Sequence, residues 1–113
     1  MSDRLRSGLL VQALVRRTGE AGGFATVLYK GDPISGAIIV QCPDAERRPR
    51  LFERIPDFSK GYRLEPAATS SWGDEGKIAQ YLDRRRRSDP DLWVIELDVP
   101  NGEQLAAVLL TDD

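Results

Sequence analysis

The chain has 113 residues, of which 16 are basic and 18 acidic, giving a formal charge of −2. That length suits a single domain over residues 1–113, able to bury one core without a disulfide or a structural metal. A hydrophobic fraction of 41% and a charged fraction of 30% argue against a wholly disordered chain, and the near balance of charge argues against general affinity for nucleic acid or anionic membrane.

From Leu5 to about Ala21, Leu9, Leu10, Ala13 and Leu14 recur one turn apart, with Val11 and Val15 widening the stripe, and this spacing predicts an amphipathic helix. Ser2, Asp3 or Ser7 are the candidate caps at its start, and Gly22-Gly23 supplies the left-handed geometry that ends it. Three runs rich in aliphatic, aromatic and β-branched residues follow, Phe24 to Tyr29, Ala37 to Cys42 and Arg50 to Ile55, each bounded by Gly or Pro. These predict strands. Their connectors are too short for a crossover helix, so sequence neighbours are expected to pair antiparallel as a meander. Ala37 to Val40 is continuously apolar, as in a central strand covered on both faces.

Asp57 to Gly73 reads mostly as loop, interrupted by Gly61 and Pro66, with Tyr62 to Glu65 as a short edge strand. Ser71, three residues before Asp74, is the expected cap of a second helix whose stripe of Ile78, Tyr81 and Leu82 runs to about Ser88, where Asp89-Pro90 stops it. Leu92 to Leu97 predicts a further strand, placed beside the first or the second. Asn101, with Gln104 three residues on, predicts a last helix burying Leu105, Ala106, Val108 and Leu109. The expected fold is α+β, a mainly antiparallel sheet of four or five strands packed with two to three helices in the order αβββ(β)αβα. The first and second helices are expected on its apolar face. The last helix, Asn101 to Leu110, is apolar enough to dock on a second chain.

Histidine is absent and Cys42 is the only cysteine. The Ser-His and Cys-His mechanisms, most zinc chemistry, an internal disulfide and a thiolate metal cage therefore drop out, which points away from an enzyme and leaves no cofactor or metal expected. No apolar run approaches a membrane span, and no signal-peptide cleavage pattern follows Met1 to Ser7, so a cytoplasmic protein is expected.

Two segments carry a likeness: Phe24-Ala25-Thr26-Val27-Leu28-Tyr29-Lys30-Gly31-Asp32-Pro33 with Gly36-Ala37-Ile38-Ile39-Val40, and Arg84-Arg85-Arg86-Arg87-Ser88-Asp89-Pro90-Asp91-Leu92-Trp93-Val94-Ile95-Glu96. They resemble a small bacterial family typical of alphaproteobacteria, the fourteen-ninety-one family of unknown function, over nearly the whole chain. The resemblance implies a bacterial cytosolic protein and brings no activity or cofactor with it.

The candidate surface residues are Asp32, Glu53, Trp72, Arg84, Arg86 and Arg87. Four consecutive arginines, Arg84 to Arg87, offer phosphate or acidic-partner contacts, yet at about 100° per residue they wrap a helix instead of forming one face. Arg85, seven residues after Ile78, should lean inward toward an acid such as Glu53 or Glu96, and the others suit the negative end of the helix dipole. A nucleic-acid surface would need Arg47, Arg48 and Arg50 to join the run, and Asp83, Asp89 and Asp91 interrupt it. Lys30-Gly31-Asp32-Pro33 with Ser35-Gly36 reads first as a tight turn. The alternative makes Asp32 and Glu53 the metal carboxylates of a nuclease-like enzyme, because the element order is also that of a large nuclease superfamily. Ile55 stands where the Glu-x-Lys motif of that superfamily needs its lysine. Cys42 reads as a buried, inert thiol and Trp93 as core, whereas Trp72 either packs over the sheet edge or offers an indole to a partner. The leading expectation is a small binding or adaptor module acting through protein contacts, with another protein or a second copy as partner.

Overall fold

The computed structural model describes residues 6–59 and 61–111. Its elements are α1 (Ser7–Glu20), β1 (Phe24–Tyr29), β2 (Ile38–Gln41), β3 (Leu51–Asp57), β4 (Gly61–Ala67), α2 (Glu75–Ser88), β5 (Trp93–Asp98) and α3 (Gly102–Thr111), with a 3₁₀ turn at Thr69–Ser71. The five strands form one mixed, mostly antiparallel sheet in the order β1-β5-β2-β3-β4, and the fold is α+β.

The expected meander holds from β2 through β4 and fails between β1 and β2, because β5 lies between them, antiparallel to β1 and parallel to β2. Burial explains the insertion. Leu92, Val94, Ile95 and Leu97 are all fully buried, so this stretch needs a neighbour on each side and cover on each face. The loop from Lys30 to Ala37 then crosses two strand spacings, roughly 10 Å, well within its reach. It passes so close over the start of β5 that a Cβ at Gly31 or Gly36 would stand 2.2 Å from the Asp91 carbonyl oxygen, so glycine is required at both. The Asp32 N–H donates to that carbonyl at 3.0 Å, and the Trp93 indole N–H donates to the Asp32 carbonyl at 2.7 Å. Trp93 is thereby core, as expected.

The helices divide between the two faces. The first carries α1 and α3, with Leu10, Val11, Leu14, Ile38, Val40, Cys42, Ile95, Leu97, Ala106 and Leu110 in one core. The second carries α2, with Ile39, Leu51, Ile78, Leu82, Leu92 and Val94. The expectation of α1 and α2 together on one face is therefore corrected: β2 and β5 are apolar on both sides, and a single helical layer would leave Ile39, Leu92 and Val94 in water. The last helix packs against α1 and β4, with Ala106 and Leu110 buried and Val108 turned outward.

Helix ends follow local chemistry. The last turn of α1 closes as a Schellman motif, with Gly22 at φ +87°, its N–H on the Gly19 carbonyl and the Gly23 N–H on the Thr18 carbonyl, both at 3.0 Å. Two of the candidate caps of α1, Ser2 and Asp3, lie outside the described residues. The third, Ser7, is its first helical residue and donates its hydroxyl to the Gly36 carbonyl at 2.6 Å. At α2 the cap is Asp74, not Ser71, since the Asp74 carboxylate accepts the Lys77 N–H at 3.1 Å. The stretch read mostly as loop holds the end of β3 and all of β4, a hairpin whose pairs run from Leu51–Ala67 to Asp57–Gly61. Pro66 is tolerated there because β4 is an edge strand.

Candidate protein-contact surface

The candidate residues from the sequence fall in several separate places. Glu53, on β3, turns toward α2, and both its carboxylate oxygens accept from Arg85, at 2.7 Å each. The side chains are 15% and 28% exposed, so the bidentate pair is half shielded from water. Arg85 also donates to the Tyr81 hydroxyl at 2.9 Å, and its guanidinium is held more firmly protonated, chiefly by the Glu53 hydrogen bonds. The expectation that Arg85 leans inward toward an acid such as Glu53 or Glu96 is met at Glu53, and Arg54 does point to the opposite face, where its Nε donates to the Leu110 carbonyl at 2.9 Å.

Asp32 lies in the β1–β2 loop, where one of its oxygens accepts the Ile34 and Ser35 N–H groups at 3.1 and 2.8 Å and the Ser35 hydroxyl at 3.3 Å. The Ser35 N–H is the main reason that its carboxyl is held below the usual range. The aspartate therefore builds the turn. Among the described residues no group of three or more cysteine or carboxylate side chains is placed to hold a metal ion.

The remaining arginines of the run separate as the helical angle requires. Arg86 stands 4.4 Å over the Tyr29 ring, Arg87 meets Asp83 one turn back at 3.1 Å, and Arg84 is exposed. The upstream arginines are matched by acids: Arg47 with Asp98 at 2.9 Å, Arg48 with Glu46 at 2.6 Å and with Asp44, and Arg50 with Glu103 at 3.1 Å. Trp72 packs against the α2-side core, donates its indole N–H to the Ala67 carbonyl at 2.9 Å and stands 5.4 Å from the Phe52 ring, so it laps the end of the sheet. Cys42 is fully buried, and burial pushes its thiol up to about 12. It remains a neutral thiol near pH 7.

The feature that the sequence reading passed over is β1. Among the described residues it pairs with β5 on one side and with no strand on the other, and its burial pattern is the most open of the five strands. Phe24 is 77% exposed, Val27 41% and Leu28 40%. α1 packs against β1, and the following loop is tied to the start of α1 by the Gly8 N–H on the Pro33 carbonyl at 2.8 Å. Leu9 and Val15 of α1 and Ile34 of the loop are exposed as well. No local pattern marks this, since β1 reads like any other strand until its neighbours are known.

A five-stranded mixed sheet with helices on both faces and one bare apolar edge defines a small α+β domain whose open chemistry lies along its edge. The chain belongs to the family described as "Protein of unknown function (DUF1491)", whose model matches residues 5–107. The solution structure of a DUF1491 family protein from Caulobacter crescentus CB15 matches with a TM-score of 0.74 at 33% identity, covering 96% of this chain and 94% of that one. Protein Atu0922 from A. tumefaciens matches with a TM-score of 0.67 at 38% identity, over 82% of this chain and 84% of that chain. A crystal structure of a DUF1491 family protein from C. crescentus gives 0.67 at 34% identity, over 81% and 83%. No curated protein matches the chain. Among the described residues no helix is long and apolar enough to cross a membrane.

Proposed function

We propose that the domain is a binding module that makes protein–protein contacts through the side formed by α1, β1 and the β1–β2 loop. The observation that carries this reading is where apolar surface remains in water. Of the eight large hydrophobic side chains exposed among the described residues, six (Leu9, Val15, Phe24, Val27, Leu28 and Ile34) belong to α1, β1 and the β1–β2 loop, elements that contact one another, so the exposure gathers along this edge of the sheet. Scattered apolar side chains are ordinary on a protein surface, whereas a concentration of them marks a contact site.

Site-specific photo-crosslinking tests the reading. A benzophenone side chain in place of Phe24 is expected to give a defined protein adduct in the cell, and the same group in place of Glu65 on β4 is expected to give none. Equal adducts from the two positions, or none from position 24, would overturn it.

A further inference from the structure

Resting on that reading, we infer that the partner is a second copy of this chain, paired antiparallel through β1 across a two-fold axis, so that the two five-stranded sheets become one continuous sheet. The two edges of the present sheet are built differently. β4 carries Arg63, Glu65 and Pro66, and charge and proline are the usual guards of an edge that must stay unpaired. β1 reads Phe-Ala-Thr-Val-Leu-Tyr, with no charge and no proline, and its only irregularity is the register shift between Val27 and Tyr29. From Phe24 to Val27 the ladder is regular, and among the described residues its outer backbone groups pair with no strand.

Charge at the two ends of β1 selects both the orientation and the partner. Glu20 closes α1 just before the strand, with a side chain 62% exposed and a single ion-pair contact, to Arg17 at 3.6 Å. Lys30 follows the strand, is exposed, and makes no ion pair among the described residues. Antiparallel pairing of two identical strands brings the Lys30 end of each copy to the Glu20 end of the other. Parallel pairing would set like charges together. A two-fold contact satisfies both pairs at once, which is the self-complementarity of an isologous interface. Because α1 packs against β1, the same axis brings the two α1 helices near one another, and apolar side chains exposed along this edge gain cover with the strands. Main-chain hydrogen bonds then supply the pairing and the apolar side chains supply the burial.

Light scattering on the purified chain tests the inference directly. The wild type is expected at twice 12.6 kDa, and both Thr26→Lys and Leu28→Lys are expected to reduce it to the single-chain mass with unchanged helix and sheet content. Glu65→Lys on the opposite edge should remain dimeric. Lys30→Glu is expected to weaken the dimer roughly three- to tenfold, as two exposed ion pairs would, and adding Glu20→Lys should restore it. A wild type of single-chain mass at every concentration overturns the inference, as does a dimer indifferent to both lysine substitutions. If the wild type is monomeric and the crosslinker at position 24 still gives an adduct of another mass, self-pairing fails and the contact reading stands. If dimer and adduct are both absent, both fail.

Discussion

The two faces of the sheet are held by different means. Under α1 and α3 the contacts are almost entirely aliphatic, with Leu14, Ile38, Val40, Ile95, Leu97 and Ala106 fully buried. Under α2 the apolar core is smaller, and the rest of the contact is the Arg85–Glu53–Tyr81 cluster. An aliphatic layer stabilises in proportion to area and is indifferent to small rotations of a helix. A bidentate guanidinium–carboxylate pair is satisfied in one geometry only, so it fixes the rotation and height of α2 on the strands.

The largest effect expected from this contrast is on the aliphatic face. Leu14→Ala should cost about 2–5 kcal/mol, because it opens a cavity in a close-packed, largely aliphatic core. A urea midpoint that hardly moves would show that α1 contributes little. Next in size, Arg85→Ala should cost about 2–3 kcal/mol, less than for a fully buried pair, by leaving the half-shielded Glu53 carboxylate without its cation. The double substitution Glu53→Leu with Arg85→Met should recover most of that loss, since no stranded charge remains. A double variant as unstable as the single one would mean that the pair supplies net stability and not only orientation. The smallest effect is at the start of α2, where Asp74→Ala should cost about 1 kcal/mol by stripping the cap from the Lys77 N–H. A null result there would assign the helix start to packing of Ile78.

Much of the fold was legible because its signals are local. The period of Leu10, Val11 and Leu14 reports a helix face, the Gly22-Gly23 pair reports a helix end, and Pro90 with Pro100 brackets a strand. The inward turn of Arg85 was legible too, since spacing from Ile78 fixes its direction on the helix. Ser71 misled because Ser and Asp cap helices through the same chemistry, and only the chain path shows which side chain meets the first free N–H. Val108 misled because an almost wholly apolar helix gives no polar face by which to orient it.

The sequence by itself determined most of the elements, their approximate limits, the inert thiol of Cys42 and the inward turn of Arg85, all from spacing along one segment or from residue type. The tertiary structure decided which strands are neighbours, which helices share a face and which edge is left bare. Placing β5 between β1 and β2 is a choice among long-range pairings that bury the same strands, and no local pattern distinguishes them. That choice leaves β1 as an outer strand, and so turns Phe24, Val27 and Leu28 from ordinary strand residues into exposed apolar surface.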